Sequence, residues 1–121
     1  MPFIEVIDRD AAKEIREVAT RDMTDGLCQA FGIKPEIVTC YYFSAPHYSY
    51  GHAGKYGEFA ENFRIFIKVH AFPRPPEAKA EAARALTDAA VAAYGTDPKQ
   101  VIVYFFDRDP ADAFHGGMAS G

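Results

Sequence analysis

The sequence is written twice. Displacing the chain by 63 residues lays Phe3-Ile4-x-Val6 on Phe66-Ile67-x-Val69, and Arg21, Thr24 and Asp25 on Arg84, Thr87 and Asp88. Ala30-Phe31-Gly32-x-x-Pro35 falls on Ala93-Tyr94-Gly95-x-x-Pro98, then Val38, Tyr41 and Phe43 on Val101, Tyr104 and Phe106. Without a gap, 14 of the 41 positions from Phe3 to Phe43 are identical, far more than chance supplies. A duplicated sequence must fold as two copies of one unit, which removes most alternative architectures at once.

Each copy reads strand, helix, strand. Pro2–Ile7 and Phe63–Phe72 are strand-length runs rich in Ile, Val and Phe. From about Ala11 to Phe31, the residues Ile15, Ala19, Met23 and Leu27 recur every four positions, one face of an amphipathic helix. Pro76 to Tyr94 repeats this with Ala82, Leu86, Ala90 and Tyr94. Asp10 is a plausible cap for the first helix. Pro76 suits the first turn of the second, with Glu77 at its positive pole. Gly32 and Gly95 can take the left-handed conformation that ends a helix, and Pro35 and Pro98 prevent its continuation. The closing strands, Ile37–Phe43 and Val101–Phe106, are β-branched and aromatic.

A strand–helix–strand unit leaves its two strands parallel. The expected fold is therefore α+β in two layers: duplicated β-α-β units give a four-stranded sheet with both helices on one face. Its plan is repeat one 2–43, linker 44–62, repeat two 63–107 and a C-terminal tail 108–121. The face away from the helices would carry Phe66, Tyr104, Phe106, Tyr41 and Phe43, too large an apolar surface to stay wet. An obligate oligomer with facing sheets is expected. Linker 44–62, rich in Tyr, His and Gly, is long for a connection in a compact domain. It reads as a mobile loop, a ribbon on a neighbouring subunit or a pocket lid.

At 121 residues the chain can bury a core without staples. Its formal net charge of −4, with basic residues scattered singly, argues against a nucleic-acid surface. Cys28 and Cys40 fall in a helix and a strand and read as packed thiols. No apolar run reaches membrane-spanning length and no signal peptide follows Met1, so a cytoplasmic protein without membrane contact is expected.

Two residues carry the chemistry. Removal of Met1 before a small residue would leave Pro2 with a free secondary amine at the start of a strand, its direction fixed by the ring. An α-amino group titrates at roughly 7.7–8.0, and an apolar site lowers that further, towards what proton transfer near neutrality requires. Alternatively Pro2 only begins an edge strand. Arg74, between Pro73 and Pro75, is held out of regular structure just before the second helix. There its guanidinium can grip a carboxylate through two charge-assisted hydrogen bonds, or simply lie in solvent. His70 shares a strand face with Phe66 and Lys68, towards the oligomer interior. His47 and His52 have no ligand-spaced neighbour, so no metal site is expected.

Met1-Pro2-Phe3-Ile4-Glu5-Val6, the duplicated plan, Val101–Asp107 and Pro110-Ala111-Asp112-Ala113-Phe114-His115-Gly116-Gly117 together resemble the tautomerase superfamily. That superfamily includes 4-oxalocrotonate tautomerase, macrophage migration inhibitory factor, malonate semialdehyde decarboxylase and cis-3-chloroacrylic acid dehalogenase. The resemblance implies a double-length subunit, a homotrimer and a cofactor-independent tautomerase or isomerase with Pro2 as catalytic base. It implies that Arg74 binds the substrate carboxylate and that Phe114 is the apolar wall beside the proline; an anchor for the tail is the other reading of Phe114. His115 can polarise a carbonyl or sit at the surface. Tyr104 resembles a pocket tyrosine, yet Tyr41 repeats it in the first copy, so packing is equally open.

Departures narrow the chemistry. Ile37 and Phe72 stand where the decarboxylase has an acid and a second arginine. Phe114 replaces the dehalogenase's water-activating glutamate, and Thr39 and Ile102 replace a second-strand arginine. The expected reaction is tautomerisation of a small 2-oxo or 2-hydroxy-enoic acid. A decarboxylase or hydratase-like enzyme and a non-catalytic trimeric binding module are the alternatives.

Overall fold

A computed structural model describes residues 1–120; Gly121, the last residue of the expected tail, lies outside them. The chain runs β1 (Phe3–Asp8), α1 (Lys13–Phe31), β2 (Thr39–Ser44), then a small hairpin of β3 (Gly51–His52) and β4 (Lys55–Tyr56). It continues with β5 (Ile65–Ala71), α2 (Pro76–Tyr94), β6 (Val101–Asp107) and a second small hairpin, β7 (Phe114–His115) and β8 (Met118–Ala119). The main sheet has the order β2-β1-β5-β6. Within each repeat the strands are parallel, and β1 meets β5 antiparallel in the centre, with Phe3 opposite His70 and Ile7 opposite Phe66.

Alternation along the central strands separates the two faces. Ile4 and Val6 of β1 and Ile65, Ile67 and Val69 of β5 point inward, where they pack with Ala19, Met23 and Leu27 of α1 and Ala82, Leu86 and Ala90 of α2. The helices pack closely on each other: a Cβ added at Gly26 would lie 2.8 Å from that of Ala85. Gly32 and Gly95 end the helices in the left-handed conformation, both at φ 65°. The other face stays uncovered by its own chain, with Tyr41, Phe43, Tyr104 and Phe106 each 41–56% exposed.

Some local expectations shift. Short 3-10 turns, Pro35–Ile37 and Pro98–Gln100, precede β2 and β6, so β2 begins at Thr39 rather than Ile37. Asp10 is not the cap of α1. It sits at φ 53° and accepts from Ser44 Oγ, while Ala12 holds the cap place without a side-chain bond. Asp8 instead accepts from the Ala11 amide at 3.2 Å.

The segment expected as a linker, 44–62, and the tail follow one path displaced by 63 residues. The Ala45 amide donates to Asp8 O at 2.7 Å, and the Arg108 amide to Ala71 O at 2.8 Å. His47–Ser49 and Pro110–Asp112 are matching 3-10 turns. Each hairpin then turns on two consecutive positive-φ residues, Ala53-Gly54 and Gly116-Gly117, the geometry that follows strand twist in a two-residue loop. Gly57 N to Tyr50 O and Ser120 N to Ala113 O close the two ribbons. The duplication is thus visible in backbone geometry well past Phe43.

Candidate active site

Antiparallel pairing of β1 with β5 gives the sheet two related ends. At one, β1 begins while β5 and β6 finish; at the other, β5 begins while β1 and β2 finish.

The first end holds a cavity of about 310 Å³. Its walls are Met1 and Phe3 around the start of β1, His70, Ala71 and Phe72 where β5 ends, Arg108 just beyond β6, and Asp112, Ala113, Phe114 and His115 leading into the second hairpin. The Arg108 amide is tied to Ala71 O, which fixes the root of its side chain at the rim. Pro2 is buried, on the same side of β1 as Ile4, and its carbonyl accepts from Thr39 N at 3.4 Å. Its own atoms do not line the cavity, but Met1 and Phe3 on either side of it do.

Of the candidates named from sequence, Phe114 and His115 come together at this cavity. Arg74 stands outside it. Its Nη1 donates to Phe72 O at 2.7 Å, and its guanidinium lies 4.6 Å from the centre of the Phe31 ring. Tyr41 packs edge-on against Phe3, and Tyr104 against Phe66, both on the open sheet face and neither in the lining of this cavity. Sequence reading passed over Arg108, which has no counterpart charge in the first copy, where Ala45 stands. It also left His70 without a partner. The ring is stacked between Phe3 and Phe106, at 4.3 and 4.8 Å, and Nε2 is 2.5 Å from Glu5 Oε1. Glu5 and His70 are 65 residues apart, so no local motif joins them.

The opposite end is built differently. Asp8, fully buried, accepts from Arg16 Nη2 at 2.6 Å and Nε at 3.0 Å and from the Tyr94 hydroxyl at 2.7 Å. Burial works to raise the Asp8 carboxyl, but the bonds from Arg16, Tyr94 and the Ala11 amide outweigh it and hold its pKa below the ordinary 3.8. Burial and the Asp8 carboxylate push the Tyr94 hydroxyl far up. Burial also raises Tyr42, which bonds Thr20 Oγ1, to about 12. Tyr50 occupies the place that Ala113 has at the first end. Its ring packs 4.5 Å from Phe63, its hydroxyl accepts from Arg64 N, and Arg9 lies over both rings. A second cavity, about 540 Å³, opens on the helix side of this end beside Ala11, Phe63, Tyr94 and Gln100.

Both thiols are raised by burial, Cys40 also lying 3.8 Å from Thr24 Oγ1. No helix among the described residues is long and apolar enough to cross a membrane. Among the described residues, no three His, Cys, Asp or Glu side chains gather as a metal cluster would require.

No sequence-family profile and no curated protein sequence matches the chain. Solved structures do. Native fused 4-OT superposes with a TM-score of 0.91 over 98% of this chain and 95% of its own, at 17% identity. The chain has the fold of a fused, double-length tautomerase subunit. A fused 4-OT described as a symmetric trimer matches at TM-score 0.85 and 21% identity, over 98% of this chain and 94% of its own. Pt0534 inactivated by 2-oxo-3-pentynoate matches at 0.86 and 17%, over 98% and 95%. At such identities the likeness is one of fold, and in that tautomerase fold the cavity at the start of β1 holds this chain's own side chains.

Proposed function

We propose that the chain is a cofactor-independent member of the tautomerase superfamily, an isomerase acting on a small 2-oxo or 2-hydroxy-enoic acid through an amino-terminal proline. The observation that carries this reading is the cavity at the start of β1, part apolar and part polar with Arg108 and Asp112 in its lining, into which the chain runs through Met1. Removal of Met1 would leave the Pro2 nitrogen where the chain now enters that space. There the neutral amine takes a proton from one end of the conjugated system and returns it to another carbon. Phe3 and Phe114 wall the site and disfavour a charged amine. Arg108 grips the carboxylate and stabilises the enolate-like charge, a part that Arg74 was expected to play. Arg74 acts two residues on from the wall, by fixing the Phe72 carbonyl. His115 stands where it can polarise a carbonyl.

The uncovered sheet face supports a homotrimer, the assembly of the fused 4-OT relative, since an apolar surface of that extent is costly to leave in water. In that assembly Tyr41 and Tyr104 meet a neighbouring subunit and complete its cavity rather than their own. A cytoplasmic location and a small carboxylate as the sole partner besides further copies of the chain belong to the same proposal.

Treatment of the Met1-free chain with 2-oxo-3-pentynoate, followed by peptide mass spectrometry, tests the reading. A single adduct on Pro2 is expected, forming at least about tenfold more slowly in Arg108→Ala through loss of one charge-assisted contact. A retained Met1, or an adduct elsewhere, sinks it.

A further inference from the structure

The wall of the Pro2-end cavity contains an acid–base pair that the proposal above does not use. His70 closes β5 on the face away from the helices, and Glu5 lies on that same face of the neighbouring β1. The imidazole is held on three sides: Phe3 and Phe106 stack on its two faces, and Nε2 is bonded to Glu5. With Nε2 committed as donor to the carboxylate, Nδ1 keeps its lone pair. That Nδ1 is buried and has no hydrogen-bond partner among the described residues, a costly state for a polar atom. Lys68, opposite Glu5 in the ladder, is turned to the Phe66 ring at 5.3 Å and leaves the pair alone. The other charged or titratable side chains lining this cavity are Arg108, Asp112 and His115.

We infer that Glu5 and His70 form a second proton-handling dyad of this site, with His70 serving the substrate oxygen while Pro2 serves the carbon. The inference rests on the reading of Pro2 given above. For an enol acid, the hydroxyl proton passes to His70 Nδ1 and the O–H electron pair becomes the C=O bond. The C=C electrons meanwhile form a new C–H bond with a proton that Pro2, neutral at rest, has first taken up from water. This leaves an imidazolium paired with the Glu5 carboxylate and a neutral Pro2. His70 then gives its proton to the hydroxide left by that water, so both groups are neutral again and nothing is consumed. The keto acid follows the same steps in reverse. Removal of Met1 enlarges the space beside the imidazole, since Met1 lines the same cavity. Glu5 is a positioning residue, setting the tautomer that leaves Nδ1 free.

The test uses the Met1-free chain, ketonisation of phenylenolpyruvate and labelling by 2-oxo-3-pentynoate in parallel. His70→Phe keeps a ring between Phe3 and Phe106 but removes both nitrogens. Its kcat is expected to fall about a hundredfold, the scale of one general acid–base group, with KM within about threefold and Pro2 labelled at the wild-type rate. Glu5→Gln is expected to lower kcat by about tenfold and to broaden or split the His70 ¹⁵N resonances as the tautomer preference is lost. Unchanged kcat in both variants overturns the dyad, as does a loss of kcat accompanied by loss of Pro2 labelling. A wild-type chain that labels at Pro2 yet does not ketonise the enol overturns the dyad alone. One that does neither overturns the reading of Pro2 as well.

Discussion

The two ends of the sheet began as copies and now differ in what fills them. At the end where β5 begins, Asp8 is locked by Arg16 and Tyr94, and Tyr50 with Arg9 occupies the ribbon side. At the end where β1 begins, the residues 63 places on are Ala71, Lys79, Phe31 on the helix side (matching Tyr94), Ala113 and Phe72. The buried charge is gone there, and a small side chain stands where the plugging ring was. On the helix side the exchange runs the other way: Arg74 lies over Phe31 at the first end, whereas Ala11 leaves the second end open. One backbone thus supports an end where a buried ion pair locks the sheet and the opening lies on the helix side, and an end where the hollow lies beside the start of β1.

Exchanging the features should expose this division. Asp8→Ala, which imitates Ala71, strips the buried partner from Arg16 and Tyr94 and should cost about 3–5 kcal/mol in denaturant unfolding. The corresponding half-exposed pair at the other end, Lys79 with Asp107, should cost at most about 1 kcal/mol on Lys79→Ala. Equal losses would remove the distinction. Tyr50→Ala, which imitates Ala113, should cost about 2 kcal/mol, less than a fully buried aromatic because the ring is only half-buried. It should open a matching hollow yet gain no alkynoate adduct at Ile65, whose nitrogen is a peptide amide. Ala113→Tyr should do the reverse, slowing Pro2 labelling by about tenfold or more as the cavity fills, with stability little changed. Labelling at the wild-type rate would mean that the 310 Å³ space is not the route to Pro2.

Acid gives the mildest separation. The folded-state pKa of Asp8 is depressed, so its contribution is complete above the unfolded value of 3.8 and is lost as pH falls through the lower folded value. Stability should therefore drop below about pH 3.8 in the wild type, and less steeply in Asp8→Asn, in equilibrium unfolding across pH 2–5. Identical slopes would detach the locked end from Asp8.

Much of this architecture could be read from the sequence because a duplication doubles every cue. Gly32 and Gly95, or Val6 and Val69, each testify to the other, and both helix ends and all four strands of the sheet follow. The ribbons escaped because their sequences had diverged almost completely. Only His52 and Gly54 still match His115 and Gly117, while the geometry is held by backbone hydrogen bonds that carry no residue identity. The cavity was half legible. Phe114 and His115 arrive beside the start of β1 as their place in the tail implied. Arg74 does not, because the Phe72 carbonyl and the Phe31 ring satisfy its guanidinium first. Arg108 and the Glu5–His70 pair depend on strand register across the centre of the sheet, which periodicity within one strand does not fix.

The central claim is that a hollow end holds a free, uncharged proline nitrogen. Its most direct test is a ¹⁵N titration of Pro2 in the Met1-free chain. The amine should lose its proton clearly below the roughly 7.7–8.0 of an ordinary α-amino group, and Ala113→Tyr or Arg108→Ala should move that midpoint. A midpoint in or above the ordinary range, or a nitrogen still acylated by Met1, contradicts it.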